Sequence, residues 1–323
     1  MDTDLGFDCD DAGAIALADI LHNNGKISLL AVTHSVNRQI GGAAIKCIDR
    51  YYGNPSVPVG IAGRYAIDAD RFYEEFYAKF RYADSFSGWK EKPSFYKLFE
   101  GLKKEEGEHG FSSAVDVTAD ALFGCEDDSV TFVCIGQANN VADMLEEVPL
   151  GRYGMTRREL FLKKVRNIVI MCGNFMEYEK EYLLGDLYWK GEFNVLLDIA
   201  SAKKLFSYTD FPIYVLDFNQ GADVLAGSGL REQTDNPVQK MYLAHGDGKR
   251  LDLPAWDIMA VMFASGVFDE MFTVSESGTV TIDDNGKSVF RTGAGSHRLI
   301  RRKAAADEFS AVINEVLRCG HLK

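Results

Sequence analysis

Short runs of apolar, β-branched residues alternate along most of the chain with segments whose apolar positions recur every three or four residues. The runs predict strands over 27–32, 57–61, 129–135, 165–171 and 212–218. The segments between them predict helices over 12–21, 40–51, 114–122, 141–145 and 194–205. Strands alternating with helices read as βαβ units, so the fold class expected is α/β. It would be a Rossmann-like, mainly parallel sheet flanked by helices, whose strands are apolar almost throughout because both faces are covered. Two regions break the rhythm. Residues 71–109 are rich in aromatic and charged side chains and read as helices inserted between βα units, over about 69–110. After Phe268 the period changes to two, in FTVSES, GTVTID and SVFRTG, with turn signals at Ser277-Gly278 and Asp284-Asn285-Gly286. That predicts a small antiparallel hairpin region over about 270–292, then a closing helix near 304–317. With no internal repeat or low-complexity linker, 1–323 is expected to form one domain with an insertion and a hairpin appendage.

Composition narrows the partners. The chain has 35 Lys and Arg against 48 Asp and Glu, a formal net charge of −13. Nucleic acid is thereby disfavoured, since binding it depends on neutralising phosphates. An anionic membrane surface is disfavoured for the same reason, and no apolar run approaches the roughly 20 residues that span a bilayer. Six cysteines lie scattered without metal-ligand spacing, mostly inside apolar runs, which argues against a disulfide framework. No signal peptide is visible. The expected location is the cytoplasm. A periplasmic or secreted setting stays open, because the chain opens abruptly at Met1-Asp2-Thr3-Asp4 without the apolar residues that usually begin a buried strand.

The densest chemical signal is that opening. Asp2, Asp4, Asp8, Asp10 and Asp11 fall within ten positions and run into the apolar helix AGAIALADIL. Carboxylates so crowded repel one another unless a cation lies among them. Ligands in parallel α/β sheets bind outside the carboxyl ends of the strands, where a β1–α1 turn lies. A hard cation held through oxygen ligands therefore explains the run better than a solvated acidic turn, with Asp10 also placed to cap the helix. An EF-hand loop fails, because Phe7 and Gly13 stand where Gly and Glu are required. A Mg-dependent haloacid-dehalogenase-like phosphatase expects Asp-x-Asp-Gly-Thr/Val, from which Leu5-Gly6 departs.

Taken together, Asp2-Thr3-Asp4-Leu5-Gly6 and Asp10-Asp11-Ala12-Gly13-Ala14 resemble the opening signature of the nucleoside hydrolases, the inosine–uridine-preferring nucleoside N-ribohydrolases. In that signature Asp-x-Asp-Pro-Gly-x-Asp-Asp leads into an Ala-rich helix. Leu5 replaces its Pro, and two extra residues lengthen the turn. Three further segments resemble the family in the expected order. Gly136-Gln137-Ala138-Asn139-Asn140 matches a strand-ending Gly-Pro-Leu-Thr-Asn, Gly191-Glu192-Phe193-Asn194 matches Ala-Glu-Phe/Tyr-Asn, and Trp256-Asp257 opens a late apolar helix.

The resemblance implies a Ca2+ site formed by Asp4, Asp11, Asp257 and the Asn139 carbonyl, with Asp4 as general base for a water held beside the metal. It implies ribose binding by Asp10, Glu192 and Asn194. At Asp186 the family has Asn, so the contact there can accept a hydrogen bond but not donate one. Trp256 stands where pyrimidine-accepting members carry a His leaving-group acid, and purine-preferring relatives with Trp there stack the base on the indole. Ser35 replaces the Asn of Gly-Asn-Val near the ribose. His109 and His245 lie in Gly-containing segments from which they could reach a substrate, and the pocket loops are expected over 72–89 and 221–252. The activity implied is hydrolysis of purine or pyrimidine ribonucleosides to ribose and free base, as in nucleoside catabolism and purine salvage. The partner expected is a small-molecule nucleoside or ribosyl substrate, in a homodimer or homotetramer. Two alternatives stand beside it: a non-catalytic ribosyl- or carbohydrate-binding protein that keeps the metal site, and the phosphatase.

Overall fold

The structure, a computed structural model, describes residues 1–6, 8–37, 39–63, 110–175, 192–246 and 248–322. Eleven strands form its main sheet: β1 (Asp2–Thr3), β2 (Val32–His34), β3 (Val59–Ile61), β4 (Ser112–Ser113), β5 (Val130–Cys134), β6 (Val165–Met171), β7 (Ile213–Leu216), β8 (Phe272–Val274), β9 (Gly278–Ile282), β10 (Ser288–Thr292) and β11 (His297–Arg302). Their order is β10-β9-β11-β7-β6-β5-β1-β2-β3-β4, with β8 also on β11. Every pair from β11 through β7 to β4 is parallel, as βαβ units require. The expected α/β class is what is found.

The described helices are α1 (Asp10–Asn23), α2 (Gln39–Tyr51), α3 (Ala114–Phe123), α4 (Asn139–Met144), α5 (Arg157–Lys164), α6 (Phe193–Leu197), α7 (Ile199–Phe206), α8 (Phe218–Gly221), α9 (Pro237–His245), α10 (Trp256–Ala264) and α11 (Ala306–Cys319). They cover both faces. One core joins α1, α2, α9, α10 and α11 to the sheet, and a second joins α3, α4, α5 and α7 to it. Helix α1 buries 12 of its 14 residues, Asp10, Asp11 and Asp19 among them, so it packs on several sides at once. A wholly buried side chain such as Ile15 contributes about 1.5–3 kcal/mol.

Three expectations are refined. The strand expected over 27–32 is found over Val32–His34, where it pairs with β1 and β3. The helix expected over 194–205 is two, α6 and α7, since Asp198 leaves helical geometry and caps α7 by accepting from Ser201 N at 2.9 Å. The hairpin β9–β10 is present but is no separate appendage. Its companion β11 lies parallel to β7, so the antiparallel region extends the main sheet. The insertion expected over about 69–110 falls, except for Gly110, outside the described residues. No helix among the described residues is long and apolar enough to cross a membrane.

Candidate active site

The carboxyl ends of β1, β2, β5 and β6 converge on one edge, where the acidic opening lies. Gly6, at φ 118°, turns the chain out of β1 in a conformation that favours glycine. Helix α1 then begins beneath the turn with Asp10 and Asp11 in its first turn. Its N-cap is Cys9, which makes no side-chain cap bond, so Asp10 is not the capping residue. Instead Asp10 Oδ2 accepts from the backbone N–H of Asp257 at 2.9 Å, tying the start of α1 to the start of α10. Gly13 allows the approach: a Cβ there would lie 2.4 Å from Tyr242 Oη and 2.6 Å from Ile258 Cδ1.

Asp10, Asp11 and Asp257 bring one carboxylate oxygen each to within 4.8 Å of the others. All three are buried, as is Asp4. This trio contains Asp10 where Asp4 was expected, with Asp4 close enough for its charge to act on Asp11 and Asp257. Burial drives the carboxyls of Asp4, Asp10, Asp11 and Asp257 well above their ordinary range, and the charge of the other acids adds to it. Among the described residues no Lys or Arg forms an ion pair with any of the four. Thr3 Oγ1 donates to Asp11 Oδ1, while Asp11 Oδ2 is buried without a hydrogen-bond partner. Crowded buried carboxylates without a cationic partner, one oxygen of which has no donor, are what a divalent cation completes, so the residues fit one.

Those of the remaining expected residues that are described lie on the elements next to this group. Asn139 opens α4 and donates through Nδ2 to Ser35 O at 2.7 Å. Glu192 is the N-cap of α6: its carboxylate accepts from Asn194 N at 2.8 Å and from Gly173 N at 2.9 Å. Burial nevertheless pushes its pKa up to about 7. Asn194 Nδ2 donates to Met171 O at 3.1 Å, at the end of β6. Trp256 stacks on Phe218, with centroids 5.3 Å apart, and its Nε1 donates to Phe218 O at 2.7 Å. His245 Nε2 lies 3.6 Å from Asp8 Oδ1 on the rim of the acidic group. Asp186, His109 and the loop expected over 72–89 lie outside the described residues.

Three residues of this region were not singled out from the sequence. Thr3 sits between Asp2 and Asp4 and looks like a spacer, although its hydroxyl serves Asp11. Tyr242 is buried with its hydroxyl at the foot of α1, and no motif marks it. Gln137 Nε2 donates to Asp4 Oδ2 at 2.7 Å. Its signal was available: a polar residue stands where the similar turn has Pro.

The model of a family described as inosine-uridine preferring nucleoside hydrolase matches residues 1–305. Among curated protein sequences, none matches the chain. Solved structures do resemble it. An inosine-uridine preferring nucleoside hydrolase from Bacillus anthracis is 14% identical, with TM-score 0.66, covering 98% of this chain and 97% of that one. An inosine-guanosine nucleoside hydrolase is 16% identical, with TM-score 0.64, covering 100% and 98%. The type III effector XopQ, complexed with adenosine diphosphate ribose, is 12% identical, with TM-score 0.67, covering 99% and 93%. At these identities the structural likeness speaks for the fold alone.

Proposed function

The chain belongs to the inosine-uridine preferring nucleoside hydrolase family, and from that premise we propose a Ca2+-dependent hydrolase that splits ribonucleosides into ribose and free base. One observation carries the reading. Buried Asp10, Asp11 and Asp257, from the two ends of the chain, bring carboxylate oxygens within 4.8 Å of one another, and Asp11 Oδ2 is left without a donor. Asp4, Asp11, Asp257 and the Asn139 carbonyl would hold the ion. When bound, the ion supplies positive charge that relieves the crowded carboxylates, orients water and the ribose hydroxyls, and lowers the water's pKa.

The protein's own groups do the rest. Asp4 takes a proton from the attacking water as its oxygen closes on C1′ of the ribose. The C1′–N bond breaks, its electron pair leaves with the base, and the base takes a proton from solvent while Asp4 gives up the one it accepted. Positive charge develops on the sugar ring in an oxocarbenium-like transition state, and the buried carboxylates of Asp10 and Asp11 favour it. Asp10, Glu192 and Asn194 bind the ribose hydroxyls, and the family resemblance adds Asp186 to them. Trp256 and Phe218 offer an aromatic pair to the base. With its Nε1–H already committed to Phe218 O, Trp256 serves by stacking and not as a proton donor. That favours purines, whose larger π face stacks more strongly. We take the whole chain to act as one such domain, in a homodimer or homotetramer.

The test incubates the purified protein with Ca2+ and a panel of purine and pyrimidine ribonucleosides, and assays reducing sugar. Ribose should appear, cease with EDTA and return with added Ca2+. Saturable binding of nucleoside with no ribose released would replace this reading with that of a ribosyl-binding protein. Release of phosphate from p-nitrophenyl phosphate without free base would replace it with the phosphatase.

A further inference from the structure

The hydrogen bonds behind Asp4 involve two residues that the proposed reaction leaves unused. Asp4 Oδ2 accepts from Gln137 Nε2 at 2.7 Å, and Gln137 Oε1 accepts from Ser35 Oγ, also at 2.7 Å. These residues follow β1, β5 and β2 respectively, so the chain of bonds crosses three adjacent strand ends. Ser35 and Gln137 are fully buried, and Asp4 is 3% exposed. The amide can face only one way. With the ion bound Asp4 is ionised and offers no proton, so the edge toward Asp4 is the NH2 group. The oxygen then faces Ser35, whose hydroxyl is its donor. Thr3 O, at 3.2 Å from Ser35 Oγ, is the weaker competitor for that one proton.

Close approach of the strand ends makes this contact reachable. A Cβ on Gly136 would lie 2.7 Å from Asp4 N and 2.7 Å from Ser35 Oγ, so glycine at that turn lets Gln137 lie against both residues. Both polar residues also stand where the resemblance noted in the sequence has others, Gln137 for Pro and Ser35 for Asn. Two such departures that bond to each other and end on one carboxylate act as a unit.

We propose that Gln137, steered by Ser35, is a positioning residue for Asp4. It occupies Oδ2 and holds the carboxylate in one rotamer, leaving Oδ1 as the oxygen that serves the reaction. The proposal rests on Asp4 being the general base and a ligand of the ion. Buried partners that orient a ligand commonly affect metal affinity or activity by 10–100-fold when removed.

The experiment compares wild type with Gln137→Met, Ser35→Ala and the double variant. Three quantities are read: kcat for ribose release, Ca2+ affinity of the EDTA-stripped protein by calorimetry, and Tm without metal. Gln137→Met, similar in length but without a donor, should lower kcat and Ca2+ affinity by about 10–100-fold. Ser35→Ala should lower both by less. The double variant should be no worse than Gln137→Met, because Ser35 acts through Gln137. Wild-type kcat and Ca2+ affinity in Gln137→Met overturn the proposal, even with a lower Tm, and so do losses that multiply in the double variant. Should Gln137→Met fail to fold, Ser35→Ala decides: reduced Ca2+ affinity at unchanged Tm supports the proposal, and unchanged affinity overturns it. A wild-type protein that binds Ca2+ but releases no ribose refutes the proposed activity alone, and the affinity comparison still decides Gln137. Absence of Ca2+ binding by the wild type overturns both.

Discussion

Asp19 on α1 and Asp49 on α2 form a buried acid pair that no proposed step uses, and their ionisation sets a pH dependence of stability. Asn54 Nδ2 donates to Asp19 Oδ1 at 2.7 Å, and the charge of Asp19 acts on the Asp49 carboxyl, whose two buried oxygens accept no hydrogen bond among the described residues. Burial, and then the charge of Asp19, pushes Asp49 up to about 8, while burial pushes Asp19 up to about 6 against its bond from Asn54. In the unfolded chain both carboxyls titrate near 4. Between about pH 4 and 8 the folded protein therefore holds a proton that the unfolded chain has released. Stability is fully present below the lower value and falls as pH rises toward the upper one. Asp49 alone gives a slope of about 1.4 kcal/mol per pH unit, so from about pH 5 to 7 it removes about 3 kcal/mol, and Asp19 adds to the loss up to about pH 6. Asp49→Asn supplies a donor to Asp19 at every pH and should lose less. Urea unfolding of both proteins in EDTA, at both pH values, isolates the pair, because other titrating groups are common to the two. The variant should gain on the wild type by up to about 3 kcal/mol as the pH rises. Stabilities that run parallel with pH would refute the proton held on Asp49.

Other substitutions probe the site. Asp4→Asn removes the proposed base and should lower kcat by at least about 100-fold while ribose still binds, which steady-state kinetics with ribose inhibition measures; near-wild-type turnover counts against the assignment. Gly13→Ala places a methyl group against Tyr242 and Ile258. Overpacking of about 1–3 kcal/mol is partly offset by the roughly 1 kcal/mol that Ala gains in a helix. Tm should therefore change little, while Ca2+ affinity falls as α1 and α10 are forced apart; unchanged affinity by calorimetry would show that their spacing does not matter. Trp256→Ala should raise KM for purine nucleosides about tenfold, since stacking is worth about 1–3 kcal/mol per base, and equal effects on purines and pyrimidines would remove Trp256 from base recognition.

Hydrophobic periodicity predicted the strands that are buried between two helical layers and missed those defined by pairing. Residues 165–171 coincide with β6 because that run is apolar and both neighbours pair with it. Residues 27–31 are equally apolar but are not strand, since only Val32–His34 pair, with β1 and β3. Composition does not record whether a partner strand lies alongside. His297–Arg302 shows the converse. HRLIRR is too charged to read as a strand beside the core, yet it pairs with β7 and extends the sheet, burying His297, Leu299 and Ile300.

The site divides the same way, between what side-chain type reveals and what only orientation reveals. Five acids in ten residues signalled a cation, because nothing else in the opening offsets their mutual repulsion. That Asp257 joins them followed from a family resemblance, not from any local pattern. Asp10 shows the limit of reading position alone. A residue opening a helix looks like a cap, yet its Oδ2 receives the N–H of Asp257 and thereby locks α1 to α10. Gln137 was quieter still, since a Gln after a strand-ending Gly is unremarkable until its amide is seen between Asp4 and Ser35. Each of these contacts joins residues far apart in the chain, so none leaves a trace in local composition. Yet such contacts set where the carboxylate oxygens lie, and a site that depends on metal geometry is sensitive to displacements of a fraction of an ångström. Substitutions at Gln137, Ser35 and Gly13 should therefore change cation affinity more than their bland chemistry would suggest.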